Sequence, residues 1–192
     1  MPASAGPATE ATWNTLEFQA TALLPVYAKD ILHVGPAALG WLSAAPAIGA
    51  FGMALYQGTS KKPVIRPGRS FFWAVAGFGL ATLVFGLSTV FWLSFIALVM
   101  TGVTDNIGVV IRMTVVQLYT PDELRGRVSA VNRVFVSSSN ELGALESGLL
   151  ANFTSPVFTV VAGGLATVLI AAAAARVFPD LWKMKTLAPP AP

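Results

Sequence analysis

From Ser70 to Thr104, thirty-five consecutive residues carry no charge. A single helix of that length, rising 1.5 Å per residue, would be about 52 Å long. A bilayer hydrocarbon core is only about 30 Å thick and is crossed by about 20 apolar residues. The stretch is therefore too apolar for water and too long for one crossing. Breaking it near Ser88 and Thr89 gives two spans, about Phe71 to Leu87 and Val90 to Leu118. Composition supports a lipid solvent for the whole chain. Of 192 residues, 55% are hydrophobic and 11% charged, with mean hydropathy +0.68, against roughly 25% charged residues in a soluble domain.

The same argument segments the rest. A span from Pro36 to Tyr56 follows Gly35, with Pro36 at the first helical position and Pro46 expected to kink the middle. Thr120-Pro121-Asp122-Glu123 has the form of a capping box, Thr at the cap, Pro at the first position and Glu three residues on. A span of about Val128 to Ala151 follows it. Asn152 to Pro156 makes the next break, with Ser155 as cap and Pro156 opening a last span that ends near Val177. At the N-terminal end, Ala20 to Ala28 provides only nine mostly apolar residues before Lys29-Asp30, about half of a span. Extended back to Ala11 the segment takes in Asn14, Glu17 and Gln19. It is either a marginal span carried by its neighbours or an amphipathic helix in the interface. Residues 1–19 lack the basic start and apolar core of a secretory signal. The expected fold class is an all-α polytopic bundle of five full spans and one shortened N-terminal segment.

Orientation follows from the basic residues. Lys61, Lys62, Arg66, Arg69, Arg125, Arg127, Arg176, Lys183 and Lys185 fall on one side, and only Lys29 on the other. Nine against one makes the first side cytoplasmic, and with it the C-terminal tail and its Pro-rich end, residues 182–192. The basic residues sit in short segments between apolar runs, not on one face, which argues against nucleic acid as a partner. There is no cysteine, no phosphate-binding Gly-rich loop and no metal-ligand cluster in the sequence. Neither a cofactor nor a metal is expected, and no catalytic residue is assigned. His33, the sole histidine, lies in an outer loop and is expected to be solvated. Ser137-Ser138-Ser139 has no histidine in its helix and is assigned to polar lining.

Several segments together resemble the C-terminal half of a major facilitator superfamily transporter, in the branch that includes bacterial drug antiporters and enterobactin exporters. They are Ala22 to Leu32, Gly40-Trp41-Leu42, Asp105-Asn106 with Arg112, the cytoplasmic run Pro121-Asp122-Glu123-Leu124-Arg125-Gly126-Arg127-Val128, and Asn140-Glu141-Leu142-Gly143 with Glu146-Ser147-Gly148. The resemblance covers about Ala20 to Leu181 and leaves residues 1–19 outside it. It implies a multi-pass protein of a bacterial cytoplasmic (inner) membrane, with the spans corresponding to the family's seventh, shortened, through twelfth. It implies efflux by an antiporter, exchanging a small organic molecule such as a drug or siderophore for protons. In this superfamily the substrate lies between two six-helix halves near the bilayer midplane. Only one half is recognisable, so the resemblance also implies a truncated chain whose partner is a missing N-terminal half. The alternative expectation is a non-transporting membrane protein that only associates with another helix bundle.

A charge inside a span costs about 2.5 to 3.5 kcal/mol on insertion scales, so each calls for a partner or a role. Asp105 is near mid-span, and Arg112, seven residues on, lies on the same face about 10 Å nearer the cytoplasm. Glu141 is near the middle of the next span, with Arg133 about 12 Å to its cytoplasmic side. Three roles stand open for Asp105, Asn106, Arg112, Arg133, Asn140 and Glu141: structural ion pairing, proton coupling and substrate contact. Arg133, Ser137, Asn140, Glu141, Ala144, Ser147 and Gly148 form a polar, small-residue stripe expected to face inward, opposite Val131, Phe135, Leu142, Leu145 and Leu149. Glu146 falls off that stripe and has no assigned role. Ala45 with Gly49, Thr104 with Gly108, and Ala144 with Gly148 are small pairs four apart, suited to close helix contact. Trp73, Trp92 and Trp182 fall near span ends, as in an interfacial belt.

Overall fold

The computed structural model describes residues 23–60 and 67–177, and among them the chain is a bundle of helices. A short helix, α1, spans Leu24–Val26 and continues as a π-helical turn, Tyr27–Ile31. Five long helices follow: α2 Pro36–Thr59, α3 Pro67–Leu87, α4 Phe91–Tyr119, α5 Arg125–Phe153 and α6 Pro156–Val177. The break at Ser88 and Thr89 is where the uncharged stretch turns. Gly35 caps α2 with Pro36 in its first turn, and the helix continues through Pro46. Ser155 accepts the Phe158 amide at 3.2 Å, the expected cap of α6.

The capping box at Thr120 does not form. Thr120 and Pro121 are both extended (ψ 123° and 145°), Asp122–Leu124 makes a 3-10 turn with no side-chain cap, and α5 starts only at Arg125. The turn is held instead by Arg125, whose guanidinium reaches the Asp122 carboxylate at 2.7 Å and the Thr120 carbonyl at 3.3 Å. An extended Pro121 keeps Glu123 from the helical position that a reciprocal cap requires.

Among the described residues, four helices are long and apolar enough to cross a membrane: Pro36–Thr59, Gly68–Leu87, Phe91–Leu118 and Pro156–Val177. α5 has the length, 29 residues, but its composition falls short because Arg125, Arg127, Arg133, Glu141 and Glu146 lie along it. Four helices therefore meet the standard that the sequence suggested for five.

The long helices pack in the order α2, α4, α3, α6, with α5 attached mainly to α6. Close backbone approach sets two of these interfaces, α2 on α4 and α3 on α6, while α3 and α4 meet through the Thr104 side chain at Gly77. A side chain at Gly102 would collide with the Pro46 carbonyl, and one at Gly49 with the Val99 carbonyl, so α2 and α4 touch along their main chains. Gly79 and Gly164 approach reciprocally: a Cβ on either would lie about 3 Å from the other's carbonyl oxygen (2.9 and 3.0 Å). Lipid tails are as apolar as leucine, so helices associate through such close packing, not through hydrophobic expulsion. Two of the three expected small pairs serve this role. Ala45 and Gly49 are buried against α4, and the pair Thr104 and Gly108 faces Gly77 and Phe71 of α3. Gly148 meets open space, because α5 diverges from the bundle.

The N-terminal segment settles into the end of the bundle where α3 turns into α4. Tyr27 is fully buried (0% exposed) among Leu24, Leu42, Phe85, Leu98 and Val160. Its hydroxyl donates to the Gly86 carbonyl at 2.9 Å, and its ring lies 4.8 Å from that of Phe85. Gly86 is in the last turn of α3, where carbonyls lack intrahelical partners. His33 takes a left-handed φ of 51° that ends the π-turn, with its ring against the Lys29 carbonyl at 3.2 Å, and it is exposed as expected. Residues 1–22 and the tail from 178, including Trp182, lie outside the described residues.

Candidate functional site: a polar face on α4

Ser94, Leu98, Thr101, Asp105 and Arg112 fall on one stripe of α4 by their helical spacing. Near the α3–α4 turn the stripe is sealed, with Ser94 0%, Leu98 1% and Thr101 5% exposed. Ser94 donates to Ser88 at 2.9 Å and Ser88 to the Val90 carbonyl at 3.1 Å, which closes the α3–α4 turn with its hydroxyls mutually satisfied. Asp105 and Arg112, further along, are half-buried. The stripe thus opens along its length, from the end filled by Tyr27 and Phe85 toward the end where α4 leads into Arg125 and Arg127.

Asn106 lies one position round the helix and faces α2, where Gln57 donates to its side-chain oxygen at 3.4 Å. Gln57 went unnoticed in the sequence because an uncharged amide near the end of a span breaks no hydropathy rule. Its signal is the shared depth with Asn106, which needs the parallel packing of α2 on α4. Asp105, Asn106 and Arg112 with Gln57 therefore form one polar, partly covered region inside helices that are otherwise apolar.

Arg133, Asn140 and Glu141 are not brought to it. They are on α5, which shares no substantial interface with α4. Arg133 and Glu141 are exposed, and Asn140 is half-buried. The face of α5 that is covered runs through Asn132, Val136, Asn140, Gly143, Ser147 and Ala151, rotated by about 60° from the expected stripe. Ser147 is fully buried and donates to the Gly143 carbonyl at 2.7 Å. Val131, Phe135, Leu142, Leu145 and Leu149 are exposed, as a lipid-facing side should be. Glu146 is exposed as well. Exposure rises toward the start of α5, where every residue from 121 to 131 is exposed. The loop residues Asp122, Glu123, Arg125, Gly126 and Arg127 are therefore all at the surface, and Gly126 meets nothing.

Such an arrangement holds polar and ionisable groups within apolar helices, half-open to one end, on a bundle whose other end is closed by packed rings. It is chemically suited to holding a polar solute or a proton, and its charged α5 face has no counterpart among the described helices. A family model described as Major Facilitator Superfamily matches residues 13–189, a span that starts before Ala20 and runs past Leu181. A curated relative, the enterobactin exporter EntS of Citrobacter koseri, is 30% identical over 138 residues, which is 72% of this chain and 33% of that protein. The chain thus spans about a third of the length of that relative. With a family match over nearly its whole length, laid on a bundle of apolar helices, the chain belongs to the Major Facilitator Superfamily and is a multi-pass membrane protein of a transporter family.

Proposed function

We propose that this chain supplies one helix-bundle half of a proton-driven exporter of a small organic molecule, in a bacterial cytoplasmic membrane with its C-terminus inside. The observation that carries this is the half-open polar face of α4, Asp105, Asn106 and Arg112 with Gln57, set in an otherwise apolar bundle. Asp105 is the group that takes up and releases the proton, and Arg112, about 10 Å along the same face, offsets its charge when ionised. The enterobactin-exporter relative supports export as the direction of transport and a siderophore among the candidate substrates. Transport, not catalysis, is the activity assigned.

A half needs an opposing wall. Exposed Arg133 and Glu141 on a helix of spanning length favour a second helix bundle as partner, since neither charge is stable against lipid. The same observation supports the second reading, a membrane protein that associates with another bundle without transporting. Proteoliposomes containing this chain, alone or together with the first half of a full-length exporter relative, separate the two. Under an imposed pH gradient, the paired assembly should move ethidium or an iron-free catecholate siderophore, and Asp105→Asn should abolish the dependence on the gradient. Unchanged proton-driven transport by Asp105→Asn would remove Asp105 from coupling. Stable pairing without movement of either probe would leave the association reading.

A further inference from the structure

A groove of about 440 Å³ lies between the start of α3 and the end of α6, away from the polar face of α4. Its floor and walls are Phe72, Trp73, Val168, Ala172 and Ala175, and Arg176 stands at its rim. Two features of the sequence make it. The end of α6 is a run of alanines, residues 171–175, whose small side chains leave a trough beside α3. The start of α3 places two consecutive aromatic residues against that trough, one buried (Phe72, 5% exposed) and one turned outward (Trp73, 69% exposed).

The groove is almost wholly hydrocarbon along its length and cationic at one end. Arg176 is exposed, in the last turn of α6, and among the described residues no carboxylate pairs with it. It shares this end of the bundle with Arg69 at the start of α3 and Arg125 and Arg127 at the start of α5. An apolar trough between two membrane helices, ending in an arginine at the level of the interface, complements a molecule with an acyl chain and an anionic head. Basic pockets between membrane helices on the cytoplasmic side bind acidic lipid head groups in this way.

We infer that this groove is a binding site for an acidic phospholipid, with an acyl chain along Phe72, Trp73 and the alanines of α6 and the phosphate held by Arg176. Trp73 is an interfacial anchor beside the lipid glycerol region, where an indole places its ring in hydrocarbon and its N–H in the polar layer. The guanidinium offers a planar set of donors that matches a phosphate. Neither the substrate of the bundle nor its coupling ion enters the argument. The site stands on the packing of α3 against α6 and holds whether or not Asp105 carries a proton.

Native mass spectrometry of the purified chain tests it, after exposure to an equimolar mixture of phosphatidylglycerol and phosphatidylethanolamine in detergent. The expected result is a preferential one-to-one adduct with phosphatidylglycerol. Arg176→Ala should lower the affinity for that lipid by about fivefold, the worth of one basic residue beside an acidic surface. Arg127→Ala, an exposed cation at the same end but on α5, should leave it unchanged. Ala172→Trp, which fills the trough, should remove the adducts of both lipids. A far-ultraviolet circular dichroism melt checks that each variant is folded. Equal retention of the two lipids by the wild type would mean an unselective groove and overturn the proposal. So would an Arg127→Ala loss equal to that of Arg176→Ala, which would report general surface charge. The measurement is made in detergent and reads no transport, so failure of the exporter reading does not touch it.

Discussion

Tyr27 shows how a single polar atom decides where a short segment goes. Leu24–Ile31 is far too short to cross a membrane, yet it is bound to the bundle because one hydroxyl reaches the Gly86 carbonyl and one ring fills the space beside Phe85. A backbone carbonyl at a helix end buried in apolar surroundings needs a donor, and leaving it unmet costs about 1 to 3 kcal/mol. Tyr27→Phe keeps the ring and removes the donor. It should destabilise the chain by about 1 kcal/mol, while Tyr27→Ala, which also empties the ring's space, should cost about 3 to 5 kcal/mol. Unfolding in mixed micelles of rising SDS fraction checks the pair, and equal stability of wild type and Tyr27→Phe would show that the hydroxyl contributes nothing. The apolar character of the segment was plain in the sequence, whereas the role of Tyr27 was not. Its partner is 59 residues away and is a glycine carbonyl, which carries no side-chain signal. Asp105 and Arg112 were legible for the opposite reason, because a charge within a span stands out against its own neighbours.

At the scale of the helix, glycine position separates contact from permissiveness. Gly102 and Gly49 sit where α2 and α4 meet main chain to main chain, while Gly52, on the same helix as Gly49, faces open space. Gly102→Ala must push α2 from α4 and should destabilise by about 1 to 3 kcal/mol, the range for overpacking a tight core. Gly52→Ala meets nothing and should be neutral or stabilise by up to about 1 kcal/mol through helix propensity. The same SDS titration reads both, and equal effects from the two would mean that the α2–α4 contact is not sterically fixed. Helix ends divide similarly. Ser155 caps α6 as its sequence suggests, but the matching signal at Thr120 to Glu123 is overridden by an extended Pro121 and by the Arg125 pair with Asp122. A capping pattern names compatible residues, and whether the backbone enters the helix at that residue depends on the turn before it.

For the whole molecule, the basic residues predict an orientation and the packing fixes a shape that is closed at one end. The absence of cysteine makes the orientation directly measurable. Single cysteines introduced at Thr89, between α3 and α4, and at Ser129, near the exposed start of α5, should label oppositely. In intact cells a membrane-impermeant maleimide should reach Thr89→Cys and not Ser129→Cys, and lysis should expose the second. The reverse pattern would invert the topology. The divergence of α5 belongs to this scale as well. Arg133 and Glu141 are displayed on a helix held mainly by α6, and pairing with a second helix bundle should protect Ser137→Cys from the same reagent after lysis, while Ser129→Cys stays reactive.

The sequence by itself determined the segmentation of this chain and set an expectation for its direction. In hydrocarbon every backbone donor and acceptor must be satisfied within its own segment, so each uncharged run of sufficient length has to be a helix, whatever surrounds it. The balance of basic residues between loops is equally local. Which face of each helix is covered was decided only in three dimensions. Apolar side chains are as content with lipid as with each other, so hydropathy leaves the rotation of a membrane helix free. That freedom is removed by main-chain contacts at Gly102 and Gly79, by the hydroxyl of Tyr27, and by the way α5 leans from the bundle, keeping Asn140 and Ser147 of the expected stripe covered and leaving Arg133 and Glu141 exposed.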